Sequence, residues 1–272
     1  MYSQESFSIE PLDLSNLPTY SHSPWTHPNW LEFTKRKTER NLLSLKNSEQ
    51  LIIIRYSNSD IVQYSSLISF LLAKQDVLRI VDFGGGMGQT VPAALIHLPR
   101  SHLDRVEYHV IDSPIQCALG KSIFDKNQFE FVHFHPGIAA FDQANSARRV
   151  DIVYSFYTMP YISTWQEVWS QLLRYEPTYF IFGYCVVSQL DFPFAVIQHI
   201  VSPLGYCGDD NYIIIPLQDF IKFFQAKNYH LLFNKSVELS SSLQKISPIS
   251  FIKNTESYSA IIQSRTLIFS KK

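Results

Sequence analysis

Cysteine is scarce in this chain of 272 residues, which has only Cys117, Cys185 and Cys207. They lie far apart, are odd in number and form no C-x-x-C pair, which argues against a disulfide framework or a structural zinc site and suits a reducing compartment. A charge excess is lacking too. Lys and Arg number 23 against 24 Asp and Glu, a net charge of -1, so composition offers no basic face of the kind that binds nucleic acid. The local run Lys35-Arg36-Lys37 with Arg40 sits in a polar helical stretch and reads as a solvated helix face. No apolar stretch approaches the roughly 20 residues of a membrane span, and Met1–Glu5 lacks the basic-then-apolar order of a signal peptide. No internal repeat or low-complexity tract stands out. The expectation is a cytoplasmic protein with no nucleic-acid partner and no membrane span. At 46% hydrophobic and 17% charged residues, the chain can bury a large core, and one α/β domain with an appendage is the simplest division.

What the sequence does have is the run Arg79-Ile80-Val81-Asp82-Phe83-Gly84-Gly85-Gly86-Met87-Gly88-Gln89-Thr90. It reads as an apolar strand ending in an acid, then closely spaced glycines, then a helix. Such glycines let the backbone turn with positive φ and bring N–H groups against a ligand with no Cβ in the way. The dinucleotide fingerprint G-x-G-x-x-G fails, because Gln89 and Val91 stand where its last glycine would be. The P-loop fails as well, because no Gly-Lys-Ser/Thr follows. The pattern D-x-G-x-G-x-G fits, with Asp82, Gly84, Gly86 and Gly88 in place. It resembles the first motif of the class I S-adenosylmethionine-dependent methyltransferases. The resemblance implies that Asp82, Phe83, Gly84, Gly85, Gly86 and Gly88 bind the methionine and ribose part of that cofactor, the acid acting through the amino group or through loop geometry. The bland alternative is a tight strand-to-helix turn with no ligand.

A second acid follows. The strand Val106–Ile111 closes with Asp112, and an acid there, roughly 20 or more residues past the glycines, is where a Rossmann-type site holds ribose hydroxyls. Ser113-Pro114 also suits a helix N-cap at 112 or 113, so Asp112 and Ser113 are both candidate cofactor contacts.

Residues 1 to about 22 read as a meander and Trp25 to about Lys74 as mostly helical, including Leu51–Ile54 and a run from Ile61 to Ala73. After Asp112 come a helix through Ile115–Phe124, a third strand at Phe129–Phe134 and a fourth at Val150–Ser155. The clearest helix carries Ser163 and Gln166 at capping-box spacing, with Trp165, Val168, Trp169, Leu172 and Leu173 on one face, so its tryptophans are core residues. A fifth strand at Pro177–Gly183, a helix over 216–227 and strands at Tyr229–Val237 and Ile262–Ser270 complete the pattern. Strand-helix alternation ending in a strand pair predicts an α/β, Rossmann-like, mostly parallel seven-stranded sheet with helices on both faces. The predicted division is an N-terminal helical extension over 1–75, acting as lid or as core layer, and a methyltransferase domain over 76–272.

Ligands in such sheets bind beyond the carboxyl ends of the strands. That adds Ser155 as a candidate cofactor contact, with Phe156 and Tyr157 lining an acceptor pocket. In the methyltransferase resemblance Ser155 stands where amino-group enzymes carry Asp or Asn, which argues against DNA or protein-glutamine acceptors. An alcohol acceptor needs a base or a metal. His133 and His135, two apart on a strand end and so sharing a face, read as a base and its partner or as half a metal site, and His199 is the further candidate catalytic residue; packing or surface histidines are the alternative reading, and a divalent metal is possible but not indicated. Asp82-Phe83-Gly84-Gly85, Val153-Tyr154-Ser155, Met159-Pro160-Tyr161-Ile162 and Val196-Ile197-Gln198 together resemble the bacterial sugar O-methyltransferase family over roughly 79–235. The resemblance implies S-adenosylmethionine as cofactor, S-adenosylhomocysteine as product and a sugar hydroxyl in glycan or polysaccharide biosynthesis as acceptor. The alternatives are a small-molecule O- or N-methyltransferase, and a non-catalytic Rossmann-like nucleotide-binding or regulatory protein.

Overall fold

The computed structural model describes residues 4–7, 12, 14, 17–46, 59–95, 98–145, 149–237, 244, 249–253, 256–260 and 262–272. In chain order these form β1 (Gln4–Phe7), α1 (Pro28–Lys46), α2 (Ser59–Leu72), β2 (Leu78–Phe83), α3 (Val91–Leu95), α4 (Arg100–Leu103) and β3 (Val106–Asp112). Then come α5 (Pro114–Lys126), β4 (Val132–Pro136), α6 (Ile138–Asn145), β5 (Ile152–Phe156), α7 (Trp165–Leu173), β6 (Tyr179–Ser188), β7 (Phe194–Ser202) and β8 (Gly205–Pro216). The chain continues through α8 (Leu217–Gln225), β9 (Tyr229–Val237), β10 (Ile249–Lys253), β11 (Glu256–Ala260) and β12 (Ile262–Lys271). Leu51–Ile54, expected to continue the helical segment, lies outside the described residues.

Two compact units divide the chain: Thr34–Phe156 with Val168–Gly183, and Met1–Phe33 with Tyr157–Glu167 and Tyr184–Lys272. In the first, β4, β3, β2, β5 and β6 pair side by side in that order, all parallel. The order reverses direction between β2 and β5, and such a switch point opens a crevice for ligands at the carboxyl ends of the strands. The strands are near-continuous apolar runs, as burial on both faces requires. Ile80, Val81, Tyr108, Val110, Ile152 and Val153 are at most 1% exposed. Helix α5 lies close against the sheet because Gly120 has no Cβ, which would collide with the ring of Phe134. Trp169 of α7 is fully buried against Phe83, Phe180 and Phe182. Helix α2 and the Thr34–Lys46 part of α1, assigned by sequence to an extension ending at 75, group with this sheet.

The second unit holds an antiparallel set in which β7 pairs with β1 on one side and β8 on the other. The end of β8 runs parallel to the end of β6, with Val187 opposite Ile215. β12 is antiparallel to β9 and also pairs with β6, while β10 and β11 form a separate hairpin. The Rossmann-like fold class read from the sequence is therefore the one observed. β1, β7, β8, β10 and β11 are additions to the seven expected strands. The signal for β7 and β8 was available, since Phe194–Ser202 is rich in β-branched residues, Val196, Ile197, Ile200 and Val201, before a Pro203-Leu204-Gly205 turn. For β1, short and polar, nothing local distinguishes strand from coil; its partner on β7 makes it one.

Candidate functional site

The glycine run does what its spacing predicts. Gly84, Gly86 and Gly88 have φ of 75°, 59° and 79°, in the left-handed region that L residues rarely adopt. Gly84 N–H donates to the Ile111 carbonyl at 2.9 Å, so the loop leaves β2 while still tied to β3, and Gly88 N–H closes a turn on Gly85 at 2.9 Å. A Cβ would meet the Asp82 carboxyl carbon at 2.7 Å from Gly85, the Gln89 side-chain oxygen at 2.9 Å from Gly86 and the Phe124 ring at 2.8 Å from Gly88. The loop is therefore a cradle that only backbone can line.

Asp82 lies beneath it, fully buried. One carboxylate oxygen, Oδ2, accepts hydrogen bonds from the Thr90 hydroxyl and, at 2.9 Å, from the Tyr108 phenol. The other, Oδ1, has no hydrogen-bond partner. Burial pushes this carboxyl up to about 7, against the lowering effect of those two hydroxyls, and Asp112 adds like-charge repulsion. Tyr64, brought in by α2, stacks on Tyr154 with centroids 4.0 Å apart, and its phenol is pushed up by burial and then by the charge of Asp82.

At the end of β3, Asp112 is half-buried. Its Oδ2 accepts from Gly86 N–H at 2.8 Å and its Oδ1 from Ser113 N–H at 2.7 Å. Burial raises this carboxyl while those two amides lower it. Ser113 is the N-cap residue of α5, with Pro114 in the first turn and no side-chain capping bond. Ser155, next to last in β5, is almost fully buried, its hydroxyl without a partner. The structure thus brings Asp82, the glycines, Asp112 and Ser113 together at one sheet edge. Phe83 turns the other way, its ring edge-on to Trp169 at 5.4 Å.

The histidines divide differently. Strand register pairs Ile80 with Tyr108 and Asp82 with Val110, whereas Val81 pairs with His109, His109 with His133 and Ile111 with His135. Since side chains alternate along a strand, His133 and His135 project from the sheet face opposite Asp82 and Tyr108. His135 Nε2 lies 3.0 Å from His109 Nδ1, and both rings pack on Phe141. Burial, then the neighbouring His133, pulls His135 down to about 4. Among the described residues no group of three or more His, Cys, Asp and Glu is arranged to hold a metal ion.

In the second unit, His199 Nδ1 is 2.6 Å from Asp209 Oδ1, which also accepts from the Tyr206 hydroxyl at 2.6 Å. The neighbouring positions Gln198 and Asp210, paired across β7 and β8, face the other way. There the Tyr161 hydroxyl donates to Gln198 Oε1 at 2.8 Å and the Trp25 indole N–H to Asp210 Oδ2 at 2.7 Å. Gln198 is fully buried and its Nε2 has no partner. Tyr157, Tyr161, Tyr184 and Tyr212 pack on this same face, with Trp25 edge-on to Tyr161 at 4.7 Å. Burial raises the Asp210 carboxyl against the Trp25 and Asn211 hydrogen bonds. Sequence reading passed over Thr90, Tyr108, Trp25, Asp209 and Asp210. For Tyr108 the signal was its place two strand positions before Val110 in a strand beside Asp82; for Trp25 and Asp210 it was absent, because they are partners across 185 positions.

No protein-family model matches the sequence, and no curated protein does. Among solved structures, the chain is similar to 1,6-didemethyltoxoflavin-N1-methyltransferase of Burkholderia thailandensis, crystallised with 1,6-didemethyltoxoflavin and S-adenosylhomocysteine. Identity is 10% over 97% of this chain and 99% of that one, with a TM-score of 0.48. It is also similar to an S-adenosylmethionine-dependent methyltransferase of Clostridium acetobutylicum, at 13% identity over 80% of this chain and 94% of that one, TM-score 0.45. The N-terminal domain of EvdMO1, solved with S-adenosylhomocysteine and D-fucose, is 11% identical over 88% of this chain and 97% of that one, TM-score 0.46. Likeness at this level leaves the fold resting on strand order and the site on its own geometry.

Proposed function

We propose that this chain is an S-adenosylmethionine-dependent methyltransferase whose acceptor is a sugar hydroxyl. The observation that carries the cofactor reading is the glycine cradle itself: three left-handed glycines at the carboxyl end of β2, tied to Asp112 and laid over a buried acid with an unpartnered oxygen. Those residues fit the group. Asp112 offers lone pairs to ribose hydroxyls beyond the two amides it already accepts from, and the cradle admits a ligand to within backbone contact. Asp82 supplies negative charge beneath a cationic ligand. The cofactor, when bound, supplies a sulfonium methyl for in-line displacement, and the protein's part is alignment of the acceptor.

The acceptor reading rests on the resemblance of Asp82-Phe83-Gly84-Gly85, Val153-Tyr154-Ser155 and Val196-Ile197-Gln198 to the sugar O-methyltransferase family; the second unit, taken by itself, carries an aromatic face with polar groups that suit a sugar. Tyr157, Tyr161 and Trp25 offer ring surfaces for the C–H face of a sugar, and Gln198 Nε2 and Asp210 offer a donor and an acceptor for its hydroxyls. On this face burial makes the Asp210 carboxyl more basic. His199, held by Asp209, stands on the opposite face of β7. The test is methyl transfer from labelled S-adenosylmethionine to a panel of nucleotide sugars and hexosides, reading S-adenosylhomocysteine. Turnover on at least one sugar is expected. Transfer only to amines or aromatic hydroxyls overturns the acceptor, and failure to bind S-adenosylmethionine overturns the whole reading.

A further inference from the structure

We propose that Tyr108 is a positioning residue for the cofactor loop, acting through Asp82: arrival of the cationic ligand drives a proton off the buried carboxyl to solvent, and the phenol hydroxyl holds the carboxylate that results. The inference rests on the S-adenosylmethionine reading.

The geometry sets two demands against each other. Two hydroxyl donors, Thr90 and Tyr108, converge on the single oxygen Oδ2, an arrangement that suits an ionised carboxylate. Complete burial favours the neutral acid. The groups facing Asp82 are Thr90 before α3, Tyr108 of β3, Tyr64 of α2 and the carboxyl of Asp112. Among the described residues none of these is a cation, and Asp112 opposes ionisation. The balance therefore tips with whatever charge enters the cradle. The Asp82 carboxyl, pushed up to about 7, is mostly protonated in the ligand-free protein below neutrality. Each ligand bound under those conditions should send one O–H proton to buffer, with the electron pair left on the carboxylate and no other bond changed. Tyr64 joins the N-terminal helices to this device, since its ring stacks on Tyr154 beside the acid.

Calorimetric titration with S-adenosylmethionine in two buffers of different ionisation enthalpy reads the proton count directly, without an acceptor. The wild type should release close to one proton per ligand near pH 6, fading to none above about pH 8.5. Tyr108→Phe keeps the ring and removes the donor, so its release window should move upward by about one pH unit, the scale of one charge-assisted hydrogen bond. A merely structural role for Tyr108 would lower thermal stability and leave the window where it was, which overturns the proposal. Asp82→Asn, where it folds, should bind without releasing a proton. Binding with no proton release in the wild type overturns the coupling and leaves the cofactor reading standing. No binding of S-adenosylmethionine or S-adenosylhomocysteine at any pH overturns both.

Discussion

The backbone N–H of Gly86 and the carboxylate of Asp112 are joined by a 2.8 Å hydrogen bond across 26 positions of sequence. The acid expected to meet ribose is thus also the clamp of the glycine cradle, which ties ligand affinity and loop order to one side chain.

Asp112→Ala should therefore act twice. Loss of charge-assisted hydrogen bonds to the ligand costs about 1.5–3 kcal/mol each, so the Kd for S-adenosylhomocysteine should rise about tenfold or more. Ligand-free thermal stability should drop as well, because Gly86 loses its partner. Calorimetry and a melting curve check the two halves separately; unchanged affinity removes Asp112 from the site.

The cradle separates two glycine roles. Gly88→Ala places a Cβ against Phe124 on a backbone at φ 79°, and should destabilise the protein by about 1–3 kcal/mol as well as weaken ligand binding. Gly85→Ala meets only the Asp82 carboxyl and has no left-handed backbone to strain. Its main effect should be on the ligand affinity and proton release governed by Asp82, measured by the same titration. Equal melting temperatures for the two variants would contradict this division.

Two buried groups should give opposing pH slopes. His135 is held down to about 4. As pH falls from about 6.5 to 4 the unfolded chain takes up a proton that the folded one refuses, and stability is lost. Asp82, pushed up to about 7 from 3.8, keeps its proton in the folded state. Its contribution is present below about pH 4 and lost as pH rises to 7. In Asp82→Asn the melting temperature should rise with pH from 4 to 6.5, and in His135→Gln it should fall from 4 to 7. The same slope in both variants would rule out this pairing of opposed groups.

On the sugar face proposed for the second unit, Asp210→Asn removes a charged acceptor and should weaken binding of a sugar ligand about tenfold or more, with cofactor affinity intact. His199→Ala, on the other face of β7, should bind that sugar near the wild-type level. Unchanged sugar affinity in Asp210→Asn with loss in His199→Ala, both read by calorimetry, would reverse the assignment.

The cofactor edge was legible because it is written locally. The φ demands of Gly84, Gly86 and Gly88 and the acid at each strand end belong to short stretches whose chemistry does not depend on what packs beyond them. Asp82 was legible as an acid at the motif, but its burial with a free Oδ1 was not, because Tyr108 and Thr90 reach it only once β3 and the loop are in place. The histidines show the same limit. Two apart on β4, His133 and His135 share a face by strand geometry alone, yet which face depended on the register of β4 with β3 and of β3 with β2.

By itself, then, the sequence determined the strand-helix alternation, the glycine cradle and the two acids beside it, since apolar periodicity and backbone sterics act over a few residues. Tertiary structure decided what pairing across long separations controls. It made a strand of Gln4–Phe7, joined Trp25 to Asp210 and Tyr161 to Gln198, and turned His199 away from them toward Asp209. A one-residue shift of β-register exchanges the two faces of a strand. Which side chains face a ligand is therefore settled by the assembled sheet.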